Sequence, residues 1–88
     1  MKKNETLHRQ FQSISPAVRL ETAWSSAIVD SIERILREKA ITQRELARRI
    51  GCSETQITRW TRGFPNYTLS TLAKLSAALG EDLIHTTN

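Results

Sequence analysis

The stretch that decides the fold is Gln43-Arg44-Glu45-Leu46-Ala47-Arg48-Arg49-Ile50-Gly51-Cys52-Ser53-Glu54-Thr55-Gln56-Ile57-Thr58-Arg59-Trp60-Thr61-Arg62. Its apolar residues fall at Leu46, Ile50, Cys52, Ile57 and Trp60, with small Ala47 beside Leu46. That spacing predicts two short helices, 43–50 and 54–62, that bury one shared seam around a Gly51-Cys52-Ser53 turn and cross steeply. With Ile57 and Trp60 turned inward, Glu54, Thr55, Gln56, Thr58 and Arg59 face outward together. An outward polar helix held in this way fits a DNA major groove.

The boundaries of both helices are written in local chemistry. Thr42-Gln43-Arg44-Glu45 and Ser53-Glu54-Thr55-Gln56 each read as a capping box: the hydroxyl accepts from a free backbone N–H and the acid or amide reaches back. The three glycines, Gly51, Gly63 and Gly80, each fall just past a predicted helix end. A left-handed residue is wanted there, and a Cβ would be strained.

Outward from this unit, Ser15-Pro16 starts a preceding helix, serine as N-cap and proline in the first turn. An apolar stripe then runs through Leu20, Trp24, Ala27/Ile28, Ile32 and Ile35/Leu36, in steps of three and four. One helix over 16–39 is the simplest reading, with Ser25-Ser26 as the place where it would split. Trp24 reads as core in preference to a partner anchor. On the other side, Phe64-Pro65-Asn66-Tyr67 is a loop. Thr68 caps a helix over 69–79, with Leu69, Leu72, Ala73, Leu75 and Leu79 inward. Residues 81–85 are too short for a helix and read as an edge strand or an extended tail; Leu83 and Ile84 either close the core or meet another chain. Residues 1–15 lack a sustained period and read as a mobile polar arm. The expected organisation is therefore an arm, 1–15, and one domain, 16–88.

The chain has 88 residues and a hydrophobic fraction of 39%, enough for one small domain without staples. One cysteine excludes an internal disulfide. No apolar run reaches the roughly 20 residues of a membrane span, and no apolar segment follows basic Met1-Lys2-Lys3-Asn4 as a signal peptide requires. A cytoplasmic protein without membrane partners is expected. The net charge of +4 is unevenly spread. Residues 42–63 hold Arg44, Arg48, Arg49, Arg59 and Arg62 against Glu45 and Glu54, and 1–15 hold Lys2, Lys3 and Arg9 against Glu5. Between them, 16–41 balance. Arginine suits phosphates and guanine edges because its planar fork donates two hydrogen bonds at once.

Role by role, Arg59 can donate twice to guanine and Gln56 can pair with adenine, while Thr55 and Thr58 can touch a thymine methyl or a phosphate. Glu54 either accepts from cytosine or simply favours a helix N-terminus. Gln43 and Arg44 open the preceding helix over the sugar-phosphate backbone, with its free N–H groups. Ser53, Arg48, Arg62 and Asn66 are further phosphate candidates, as is Arg49; at least one of Arg48, Arg49 and Arg62 is expected to be ordinary surface. Tyr67 reaches a phosphate or packs on the core.

Residues 28–84 resemble a helix-turn-helix domain of the Cro/C1 repressor type, the XRE-like family. The blocks that carry the resemblance are T-Q-R-E-L-A at 42–47, I-G-C-S at 50–53, I-T-R-W-T-R-G at 57–63 and T-L-S-T-L-A-K-L-S-A-A-L-G at 68–80. The last block is also similar to HigA-type antitoxins. The resemblance implies an all-α, four- to five-helix lambda-repressor-like domain that binds a palindromic duplex-DNA operator as a homodimer. It also implies that Gln43, Glu54, Thr55, Gln56 and Arg59 occupy DNA-contacting positions. Many relatives have glutamate after the tryptophan; Thr61 here removes a charge and raises local basicity. Residues 1–27 fall outside the family pattern.

Other chemistries find no support in the residues. Cys52 is a small seam residue without an activating neighbour, and His8 and His85 lack ligand-spaced companions for zinc. No phosphate loop and no nucleophile–base pair can be argued. No enzyme, metal or cofactor is expected. The function expected is a sequence-specific dimeric transcriptional repressor; the alternative is an antitoxin that binds a toxin protein and autoregulates its operon.

Overall fold

The computed structural model describes residues 15–62 and 65–86. The expected arm over 1–15 and the turn at Gly63 therefore lie, all but Ser15, outside the described residues. The domain is all-helical: α1 (Pro16–Glu38), α2 (Gln43–Ile50), α3 (Glu54–Thr61) and α4 (Leu69–Leu79), with no strand among the described residues. None of these helices is long and apolar enough to cross a membrane.

Each helix starts where its cap residue dictates. The side chains of Ser15, Thr42, Ser53 and Thr68 accept from the N–H of Val18, Glu45, Gln56 and Thr71 in turn. Three helix ends share one geometry, in which a left-handed residue lets the next N–H reach back to an orphan carbonyl. Cys52 N–H reaches Ala47 O beyond Gly51, and Glu81 N–H reaches Ser76 O beyond Gly80. Ile41 N–H reaches Leu36 O beyond Ala40, which holds φ at 53° without being glycine.

The core is Ile28, Ile32 and Ile35 from α1, Ile41, Leu46 and Ala47, Ile57 from α3, and Leu72, Leu75, Leu79 and Leu83. Helix α2 packs on α3 and α4, and α1 packs on the same two. Ile50, Cys52 and Trp60 join from the edge and are only half-buried. Leu83 closes the core, its N–H held by Ser76 Oγ, while Ile84 stays exposed. On α4 the inward face is Leu72, Leu75 and Leu79 alone; Leu69, at 75% exposure, and Ala73, expected beside them, face outward because they lie off that stripe. Residues 81–85 form neither helix nor strand.

The one-helix reading of α1 holds, with no split at Ser25-Ser26; Ser25 is buried and its hydroxyl donates to Pro65 O at 3.3 Å. One expectation about α1 is overturned. Trp24 is not core: it is 62% exposed, and Leu20 of the same stripe is 50% exposed. The reason is length. Twenty-three residues of α1 run about 34 Å and the eleven of α4 about 16 Å, so the other helices cover only one half of α1.

Candidate nucleic-acid interface

Helix α3 is fixed from below by Ile57, which is fully buried, and by Thr61, at 5% exposure. The Thr61 hydroxyl donates to Ile57 O at 3.0 Å, so this residue is an inward strut. Half-buried Trp60 completes the underside, and the Tyr67 hydroxyl donates to Trp60 O, tying the following loop to the end of α3. Burial raises the Tyr67 phenol to about 12. Tyr67 thus packs on the core, with its hydroxyl already committed.

The opposite face is free. Glu54, Thr55, Thr58 and Arg59 are exposed, and Gln56 is half-buried at the edge of the face. Thr55 and Arg59, four residues apart, lie one above the other. Thr58 Oγ1 donates to Glu54 O, which leaves its methyl and both hydroxyl lone pairs for a ligand. Arg62 is exposed and extended, so α3 ends one residue earlier than the spacing predicts.

The start of α2 stands beside this face. Arg44 is exposed and Gln43 half-buried, and the N–H groups of the first turn lack intrahelical acceptors. Ser53 Oγ is used as the N-cap of α3. Asn66 is exposed in the loop.

The second half of the predicted capping box at Thr42 is replaced. Glu45 accepts from Arg48 at 2.6 and 2.8 Å and from Arg49 at 3.1 Å. Two cations at i+3 and i+4 outcompete one neutral N–H, and these bonds, from Arg48 first and Arg49 second, hold the Glu45 carboxyl down at about 2. Arg49 also donates to Ala78 O of α4. Among the described residues, Arg44, Arg59 and Arg62 enter no ion pair, so three of the five arginines keep their full donor capacity for a ligand. Sequence reasoning missed Glu45 as the organiser of the other two; its spacing to Arg48 and Arg49 was the available signal.

Two capped helices around a left-handed glycine, the second exposing an arginine–threonine face, match the family model described as the Cro/C1-type HTH DNA-binding domain, over residues 31–84. The chain belongs to this family of DNA-binding domains. The match covers more than half of the chain and begins inside α1, so the exposed first turns of that helix lie outside the Cro/C1-type pattern. No curated protein and no solved structure matches the chain.

Proposed function

We propose that this Cro/C1-type protein is a sequence-specific transcriptional repressor that binds a palindromic operator as a homodimer, in the compartment that holds the DNA. The observation that carries the reading is the exposed face of α3, where Arg59, in no ion pair among the described residues, stands over Thr55 on a helix whose underside is locked by Ile57 and Thr61. Glu54, Thr55, Gln56, Thr58 and Arg59 read base edges; Gln43, Arg44, Ser53, Arg48, Arg62 and Asn66 position the backbone. A second reading, an antitoxin that also represses its own operon, draws on exposed Trp24, an anchor type favoured at protein interfaces and carried outside the DNA face.

The test is selection of bound duplexes from a random pool, followed by anisotropy titration of the selected site against scrambled duplex over a range of salt. A palindromic consensus, bound on the order of a thousand-fold more tightly than scrambled DNA and weakening steeply with salt, is expected. A flat salt response or an unenriched pool refutes the reading.

A further inference from the structure

The buried positions of α1 are Ser25, Ile28, Ile32 and Ile35, one stripe in helical steps of three and four. The first of them is a hydroxyl, 9% exposed, where an apolar side chain would serve the core. Burying a hydroxyl costs free energy unless it is hydrogen-bonded. A serine or threonine inside a helix often bonds the carbonyl four residues back, as Thr22 does to Val18 O at 2.9 Å. Ser25 instead donates out of its helix, to Pro65 O in the loop before α4. It lies ahead of residue 31, where the match to the Cro/C1-type domain begins, so the anchor is supplied from outside the family pattern.

Pro65 O belongs to the peptide that joins Pro65 to Asn66. That peptide is trans, so a carbonyl turned toward α1 turns Asn66 N–H the opposite way. One residue further on, the Tyr67 hydroxyl donates to Trp60 O at the end of α3. Asn66 therefore stands between two anchors, one on α1 and one on α3, with its side chain exposed. We infer that Ser25 is a positioning residue for DNA binding: by holding the Pro65–Asn66 peptide it presents Asn66 to one phosphate of the duplex backbone, where the N–H and the carboxamide can both donate. A phosphate contact sets the register of a protein on DNA without reading sequence. A loop residue fixed beforehand also loses less freedom on binding, which is what the two anchors supply. The inference rests on the reading above that Asn66 meets the DNA backbone, and names what holds it there.

The experiment uses the full chain and the variants Ser25→Ala, Tyr67→Phe and Asn66→Ala. Alanine is the better helix former at position 25, and thermal melts check that each variant folds. Each protein is titrated on the selected operator, on scrambled duplex, and on operators in which one phosphate at a time is replaced by an uncharged methylphosphonate. Ser25→Ala should bind operator and scrambled duplex more weakly in equal measure, by roughly 3–10-fold, the worth of one hydrogen bond. At one phosphate the replacement should weaken the parent several-fold and Asn66→Ala less. Ser25→Ala and Tyr67→Phe should show the same reduced sensitivity there and keep the parent's at every other phosphate, a pattern that a general loss of stability does not produce. Ser25→Ala with the parent's sensitivity at every phosphate, or with a loss confined to the operator, overturns the inference and leaves DNA binding standing. Reduced sensitivity in Tyr67→Phe alone moves the positioning to α3 and overturns the role of Ser25. An Asn66→Ala profile identical to the parent's takes Asn66 off the backbone and overturns it too. A parent that binds no duplex overturns the DNA reading and this inference together.

Discussion

The guanidinium of Arg49 donates to the carbonyl of Ala78 at 3.1 Å, joining α2 to α4 across 29 residues of sequence. The same side chain meets Glu45 at 3.1 Å. An arginine with both sides engaged within its own domain is a fastener, unlike Arg44, which is exposed and enters no ion pair among the described residues. Arg49→Ala should lower unfolding free energy by roughly 0.5–1 kcal/mol, as fits a partly exposed ion pair and one carbonyl bond, and leave the salt slope of DNA binding unchanged. Arg44→Ala should leave stability within about 0.5 kcal/mol and reduce that slope by about 0.9. Urea melts and salt-dependent anisotropy separate the two. A reduced slope for Arg49→Ala would place that side chain on a phosphate instead.

Arg59 is the side chain best placed to discriminate bases, at the middle of the free face with Thr55 one turn before it. Arg59→Ala should cost roughly 1–3 kcal/mol on the selected operator and relax preference at one base pair of each half-site. Binding of every single-base operator variant is measured for both proteins. A loss of the same size on scrambled DNA would reduce Arg59 to a phosphate contact.

Acid should weaken the domain through Glu45. Its carboxyl is depressed from the ordinary 4.5 to about 2 by the bonds from Arg48 and then Arg49. A depressed acid contributes stability that is complete above the unfolded value and is lost as pH falls through the folded one. The window is therefore pH 4.5 down to about 2. Glu45→Gln should lie below the parent in melting temperature at pH 7 and converge on it through this window. The substitution also releases Arg48, whose side chain is 74% exposed, so the salt slope on scrambled DNA should steepen. A constant gap between the two melting curves from pH 7 to pH 2 would show that the bonds are not ionic.

Alkali should act at Tyr67. Burial lifts its phenol from the ordinary 10.0 to about 12, while its hydroxyl donates to Trp60 O. A group with a raised folded value contributes stability that is complete below the unfolded value and disappears as pH rises through the folded one, here between 10.0 and about 12. Tyr67→Phe should cost about 1 kcal/mol at pH 7, from the lost hydrogen bond, and lack this alkaline loss. Denaturant melts at pH 8, 10 and 11 test it. Parallel decline of both proteins would assign the loss elsewhere.

What the sequence could disclose follows the range of the forces. Caps act over three residues, and Ser15, Thr42, Ser53 and Thr68 fix the helix starts where their chemistry places them. The free face of α3 was legible by elimination, since Ile57 had to point inward. Trp24 was misjudged because periodicity shows which residues share a stripe and says nothing of what covers it; the short α4 decides that. Arg49 was legible only as a cation, because its acceptor lies on another helix. The burial of Thr61 was not legible, because it depends on how α3 packs against the rest of the core.

Ala40 offers a test of backbone strain. It occupies the left-handed position after α1, at φ 53°, where Gly51 and Gly80 serve the same purpose at φ 83° and 75° after α2 and α4. A left-handed L-residue brings its Cβ too close to the following carbonyl, at about 1–2 kcal/mol. Glycine removes that strain but loses more chain entropy on folding, roughly 0.5–1 kcal/mol. Relief wins where the native φ is positive, so Ala40→Gly should stabilise the domain by about 0.5–1 kcal/mol. For a domain of this size the melting temperature should rise by roughly 2–8 °C. The substitution touches nothing in the proposed DNA interface, and Ala40 is exposed, so operator affinity should stay the same. A fall in melting temperature would mean that the alanine methyl does work in the fold that its exposure does not reveal.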